Sequence, residues 1–318
     1  DPLRIVVIGA GAVGGVFGGR LARAGCTVTF VARGATLEAL RHDGLVVRAF
    51  DGDFTVAPAH AVATPGEAGP ADVVLVSVKA DQVTALAPTL RPLLREGALV
   101  IPMQNGVDAS DELAAVLGPA QVLDGFCGVL AAQEAPGRIH HAGIVPRLVF
   151  APRADAPAAT RAHPVLARLR DAVLAAGMEV DVPDDARLGT WEKLLFVSPL
   201  GSVGAAARVT FGELLGTPET RVLLERCTRE IVALANASGV PLGEREHARV
   251  WTRYEAMPAG GTTSMQRDLM AGRPSELEAQ VGTLVRRAAR VGVPVPAHET
   301  LYAVLLPQER RARGISGA

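Results

Sequence analysis

The chain has 318 residues, of which 49% are apolar and 20% charged, with a formal net charge of −1. That much apolar material excludes intrinsic disorder, and the lack of a basic surplus argues against nucleic acid, whose phosphates need a positive face. At roughly 150 residues per domain, the length points to two domains.

Arg4 to Ile8 (RIVVI) is a β-branched run followed by a glycine turn and an amphipathic helical stretch from Val13 to Ala24. Thr27 to Val31 is the next strand, Leu45 to Val56 a further one, and Asp72 to Val78 and Ala98 to Ile101 read as short, fully buried strands of a parallel sheet. Asp81 to Leu94 carries apolar residues at helical spacing; Gln121 to Leu130 and Val145 to Phe150 are strand-like, Pro157 to Ala176 is a helix, and Met178 to Val182 a last strand. Strands alternating with helices predict a doubly wound, Rossmann-type α/β domain over residues 1–184. From 185 to 318 the pattern is all-helical. One helix spans Pro218 to Ser238, with Thr217 as N-cap and Gly239 past its end, and another starts at Ser275 with a capping box to Glu278 and stops at Gly292.

Gly9-Ala10-Gly11-Ala12-Val13-Gly14 is a G-x-G-x-x-G between the first strand and the first helix. Gly9 permits the tight turn, Gly11 lets a pyrophosphate approach the backbone, and Gly14 lets helix and strand pack closely. The helix N-terminus at Ala12 and Val13 then offers amide donors and a positive dipole end to the phosphates. An NAD site would place an acid at the end of the second strand, but that strand closes with Val31-Ala32-Arg33. A guanidinium there can clamp a 2′-phosphate, so NADP(H) is the expected cofactor; the alternative is a solvated strand end. Lys79 and Gln104-Asn105 follow two buried strands, at the carboxyl ends where open α/β sheets bind ligands.

Of 32 basic residues only Lys79 and Lys193 are lysine. An ammonium can be tuned to release a proton and a guanidinium cannot, so Lys193 is a candidate general acid toward a substrate carbonyl; otherwise it is a lysine snorkelling beside Trp191. Ser264, Asp268, Arg273 and Glu276 form a second polar cluster, in which Glu276 also suits a helix first turn by the dipole alone. No metal site is expected, since the histidines lack ligand spacing. Cys26, Cys127 and Cys227 are scattered and read as reduced core residues, and neither a signal sequence nor an uncharged run of spanning length is legible. These readings place the protein in the cytoplasm and off the membrane. Exposed helical faces make a homodimer an option.

The combination of GAGAVGG at the N-terminus, Arg33, S-V-K ending at Lys79, Q-N-G at Gln104 to Gly106, W-E-K at Trp191 to Lys193, S-M-x-x-D followed by S-E, and V-P-V-P-x-x-E-T-L-Y from Val293 resembles the ketopantoate reductase (2-dehydropantoate 2-reductase) family over nearly the whole chain. The resemblance implies NADPH-dependent reduction of a 2-keto acid to a 2-hydroxy acid, as in pantothenate biosynthesis. It implies Lys193 as general acid, Glu276 and Ser264 as substrate holders, and Asn105 and Lys79 lining a cleft that the helical domain closes. Asparagines usual in the family are replaced here by Val197 and Gly201, four and eight residues after the lysine, and further ones by Gln280 and His298. Val197 makes the substrate wall apolar, so a bulkier or less polar ketone or imine is an alternative substrate. NADP(H) binding without turnover is the alternative from another class.

Overall fold

The computed structural model describes residues 1–315. It divides into two compact units, residues 1–104 with 109–186, and residues 105–108 with the chain from 187 onward.

The first unit begins β1 (Arg4–Ile8), α1 (Ala12–Arg23), β2 (Thr27–Val31), α2 (Gly34–His42), β3 (Leu45–Ala49), β4 (Phe54–Val56), β5 (Ala61–Val62), β6 (Ala71–Val76), α3 (Val83–Leu86) and β7 (Leu94–Pro102). It continues α4 (Ala109–Leu117), β8 (Leu123–Gly128), β9 (Ala131–Ala135), β10 (Arg138–His141), β11 (Arg147–Pro152), α5 (Ala158–Arg161), α6 (Pro164–Ala175) and β12 (Glu179–Asp181). Strands β5-β2-β1-β6-β7 form one parallel sheet, in which chain direction of winding reverses at β1 and β6. The β-branched runs of β1 and β6 are buried on both faces, as helices on both sides of a parallel sheet require.

The parallel pattern stops at this sheet. The remaining strands make two small mixed sheets, β4-β3-β10-β9 and β12-β11-β8. The single strand expected over Leu45 to Val56 is a hairpin, β3 against β4, that turns at Gly52 with φ 128°. The helix expected over Asp81 to Leu94 breaks into a 3-10 turn, the four residues of α3 and a second 3-10 segment containing Pro88 and Pro92, because proline supplies no amide donor to an α-helical ladder. Pro164 likewise splits the helix expected from Pro157, and His163 Nδ1 caps the second piece at Val165 N (3.2 Å).

His140 and His141 face opposite sides of β10, the first exposed and the second fully buried. The buried ring is held by Arg20 at Nδ1 (3.3 Å) and by Ile144 O at Nε2 (2.9 Å), and Arg20 also donates to Asp51 (2.6 Å). Burial, reinforced by the Arg20 charge, pushes the His141 pKa below its ordinary value.

The second unit is a helical bundle of α7 (Arg187–Ala207), α8 (Phe211–Gly216), α9 (Pro218–Ala237), α10 (Glu244–Glu255), α11 (Ser264–Met270), α12 (Thr283–Val291) and α13 (Pro296–Ala312). The turns at Gly239 (φ 76°) and Gly292 (φ 72°) end α9 and α12 as expected. Two capping expectations are met only in part: Thr217 stands at the N-cap of α9 with Pro218 in its first turn, but its hydroxyl does not cap, and Ser275 accepts an amide without forming a capping box. The Thr217 hydroxyl donates back to Glu213 O (2.8 Å) instead of capping α9. Ser275 Oγ accepts from Leu277 N (3.1 Å) and donates to buried Glu309 (2.6 Å), while Glu278 turns to Arg286 and the Tyr302 hydroxyl, so no capping box forms. The chain there opens as a π-turn, Glu278–Gly282, before continuing into α12. Among the described residues no helix is long and apolar enough to cross a membrane.

Candidate active site

In the first unit, Gly9 takes φ 93° at the end of β1, and its amide donates to Val31 O (3.0 Å), tying the turn to the end of β2. At Gly14 a Cβ would lie 2.0 Å from Gly9 O and 2.9 Å from Val7 Cγ1, so only glycine lets α1 sit this close to β1. The outer side of the turn is open: at Gly11 the nearest atom to an added Cβ would be Gln133 Oε1 at 3.8 Å. Ala12 and Val13 begin α1 immediately behind it.

A cavity of about 470 Å³ opens over this turn, lined on its far side by Ala32, Arg33 and Thr36. Arg33 is exposed, and its guanidinium makes no hydrogen bond or ion pair among the described residues. Thr36, in the first turn of α2, was not legible as a cavity residue, although its place three residues after Arg33 on a helix start is the signal that finds it. Val78, Asp81 and Gln82 also line the cavity, and Lys79 between them is exposed.

Gln104 is buried, and its Nε2 donates to both Val76 O and Val78 O (2.8 Å each). Its donors are therefore spent on clasping the end of β6, and its Oε1 is buried without a partner. Ser77 Oγ is a second buried, unpartnered oxygen at the same strand end.

The polar group of the second unit gathers around Glu276. Asn105, 171 residues earlier in the chain, donates from Nδ2 to Glu276 Oε2 (2.9 Å), and Gln280 Nε2 donates to the same oxygen (3.0 Å). The loop carrying Asn105 is fastened to this unit by Asp108, which accepts from Arg287 (2.8 Å) and from the Thr283 hydroxyl. Gly106 (φ 105°) lies so close to Ala279 O that a Cβ would be 2.6 Å from it.

Lys193 is half-buried on α7, and Val197 and Gly201 follow at four-residue intervals on the same stripe. Val197 is half-buried against the helical core. A Cβ at Gly201 would lie 2.7 Å from Met265 Cε, the movable end of a flexible side chain, and 2.9 Å from Thr263 Oγ1, so a side chain there requires both neighbours to shift. Ser264 is exposed at the first position of α11, behind Thr263, whose hydroxyl caps Gln266 N (3.1 Å).

His298 does not fit the expectation of a lost substrate contact. It is fully buried, and its Nδ1 and amide both meet Glu230 of α9 (2.7 and 3.1 Å), which also accepts Ala297 N (2.7 Å). The pair caps the start of α13. Burial works against the Glu230 charge, but the bonds from His298 and the two amides outweigh it and hold the carboxyl below its ordinary pKa.

Two adjoining models of one family match this sequence: Ketopantoate reductase PanE/ApbA over residues 5–154, and its C-terminal counterpart over residues 185–309. The 2-dehydropantoate 2-reductase of Halobacterium salinarum is 32% identical over 94% of this chain and 96% of its own length. A PanE/ApbA family ketopantoate reductase from Ralstonia eutropha superposes with a TM-score of 0.86 at 31% identity, covering 97% of this chain and 99% of that one. D-mandelate dehydrogenase, solved with NADH and anilino(oxo)acetate, shares the fold alone, with a TM-score of 0.86 at 18% identity over 97% of this chain and 99% of that one. The sequence motifs, the glycine-turn cradle and both family matches agree: this chain belongs to the ketopantoate reductase family.

Proposed function

We propose that the protein reduces a 2-keto acid to a 2-hydroxy acid with NADPH. In this reading residues 1–184 bind the dinucleotide, and residues 185–318 bind the substrate and supply the proton. The observation that carries it is the Asn105–Glu276 hydrogen bond, which joins two polar residues from distant parts of the sequence in the same unit as Lys193.

The turn fits a dinucleotide: its outer face is clear at Gly11, the helix N-terminus stands behind it, and Arg33 on the cavity wall commits its donors to none of the described residues. When bound, a reduced nicotinamide supplies the hydride. Gln104 acts indirectly, by fixing the end of β6 beside the turn. Lys193 hydrogen-bonds the substrate carbonyl oxygen and transfers a proton to it as the carbon becomes tetrahedral. Asn105 holds one oxygen of Glu276, leaving the other to accept from substrate, and Ser264 offers a hydroxyl to the substrate's polar end.

Lys193→Ala is expected to lower kcat on 2-dehydropantoate about 100- to 10,000-fold, the usual worth of a positioned acid, with NADPH affinity unchanged. Full turnover by that variant overturns the assignment. Wild-type protein that binds NADPH yet consumes none with any 2-keto acid would be a binding protein instead. A second reading, a substrate less polar than 2-dehydropantoate, is favoured by Val197 and by the packing of Met265 into the place of a side chain at Gly201. Turnover of 3-methyl-2-oxobutanoate above that of 2-dehydropantoate would support it.

A further inference from the structure

We infer that Gln280 is a positioning residue that fixes Glu276 and couples it to the helix bearing Lys193, an assignment that rests on the reading of Glu276 as a substrate-holding carboxylate. Gln280 is 1% exposed, in the middle of the π-turn that follows Glu276. Its side-chain Nε2 donates to Glu276 Oε2 (3.0 Å), and its backbone oxygen accepts from Ser198 Oγ (2.7 Å). Ser198 is itself fully buried on α7, five residues after Lys193. One residue thus connects the carboxylate to the helix that carries the amine.

The local geometry explains why a glutamine does this. A π-turn interrupts the regular α-helical ladder and is a common device at functional sites, where it re-aims side chains. Here Gln280 N still bonds Glu276 O (3.0 Å), so the two side chains leave the same side of the turn and their ends meet. Asn105 approaches the same carboxylate oxygen from the 105–108 loop, so two amide donors converge on Oε2 and set the plane of the carboxylate. Among the described residues no amide donates to Oε1, which is the atom left for a ligand.

A purely structural role fits poorly. The Gln280 Oε1 is buried without a partner, which costs stability that an apolar side chain of the same size would not incur. Of the amide's two ends, only the one facing Glu276 is satisfied.

The test is a double-mutant cycle between Gln280 and Glu276, with NADPH consumption measured on 2-dehydropantoate and on 3-methyl-2-oxobutanoate. Gln280→Met keeps the length and removes the donor. It is expected to lower kcat/KM at least tenfold, chiefly through KM, with melting temperature and NADPH affinity at or above wild type. In a Glu276→Ala background the same change should have no further effect, because its route to the substrate is gone. Ser198→Ala is a second, smaller change and should raise KM in the same direction, again only while Glu276 is present. Wild-type kcat/KM in Gln280→Met, or an equal loss with and without Glu276, overturns the inference. If Glu276→Ala itself retains full activity, or wild-type protein reduces neither acid, the reading of the site fails first.

Discussion

Replacing Gly14 with alanine tests the cradle more directly than any change to a polar residue. The added Cβ would stand 2.0 Å from Gly9 O, where ordinary contact begins at 3.4 Å, so α1 must retreat by more than an ångström. It cannot do so freely, because its other glycines are packed just as closely: a Cβ at Gly15 would lie 2.0 Å from Ile139 Cδ1, and one at Gly18 would lie 2.5 Å from Phe30 Cε1. The obstacle at Gly14 is backbone, which yields less than a side chain. Overpacking of this kind costs typically 1–3 kcal/mol, and the upper end, about 3 kcal/mol, is appropriate here. For a unit of this size that is a fall of about 6–12 °C in Tm. A displaced helix N-terminus should also weaken NADPH binding at least tenfold, about 1.4 kcal/mol. Calorimetry and a fluorescence titration with NADPH measure the two effects. Gly66→Ala, where a Cβ meets nothing and φ is not positive, is the neutral control. A Gly14→Ala protein that melts within about 2 °C of wild type and binds NADPH normally would refute the assignment of this turn.

Arg33→Ala should weaken NADPH binding by about 1.5–3 kcal/mol, the worth of hydrogen bonds to a charged group, and leave NADH binding unchanged; an unaltered NADPH-to-NADH ratio in titrations excludes the phosphate clamp. His141 and His247 are both held below the ordinary histidine pKa, chiefly by burial, so the unfolded chain binds their protons first. Stability is therefore complete above about pH 6.5 and declines as pH falls below it, and urea midpoints between pH 7.5 and 5 should flatten in a His141→Gln, His247→Gln double variant. Glu230, held low by His298, adds a second loss on acidification below about pH 4.5, which Glu230→Gln should abolish. Val197→Asn should fold and raise the preference for 2-dehydropantoate over 3-methyl-2-oxobutanoate roughly tenfold, about one hydrogen bond's worth, whereas Gly201→Asn should lower Tm unless Met265→Ala makes room; steady-state kinetics and melting curves separate the two.

What the sequence disclosed was set by local rules. The glycine turn, β1 and β6 were legible because each feature is fixed within a few residues: a β-branched run, a glycine needed for positive φ, a helix start. The departures have equally local causes. Pro88, Pro92 and Pro164 remove donors from otherwise helical patterns, and Gly52 turns an apparent strand into a hairpin. The two small mixed sheets were not legible, since the parallel pairing of β10 with β3 depends on contacts about ninety residues apart.

The polar site divides along the same line. Asn105 and Glu276 were each singled out by type and place, but no spacing joins residues so far apart, and only the fold shows that one donates to the other. Gln104 illustrates the converse: a strand-end position drew attention to it, yet its amide serves the backbone of β6. By type alone His298, in place of the family's asparagine, points to a missing contact, whereas its partners make it the cap of α13. A substitution at a recognition position therefore carries two meanings that sequence cannot separate, an altered ligand or an altered internal partner. At Gly201 the geometry favours an altered internal partner, since Met265 Cε and Thr263 Oγ1 lie where a side chain would begin and both must shift to admit one. Val197 is half-buried with one face packed on the helical core, so a change there leaves the core contacts largely in place and acts on what its other face meets; under the proposed function that makes Val197→Asn the substitution that reports on substrate choice.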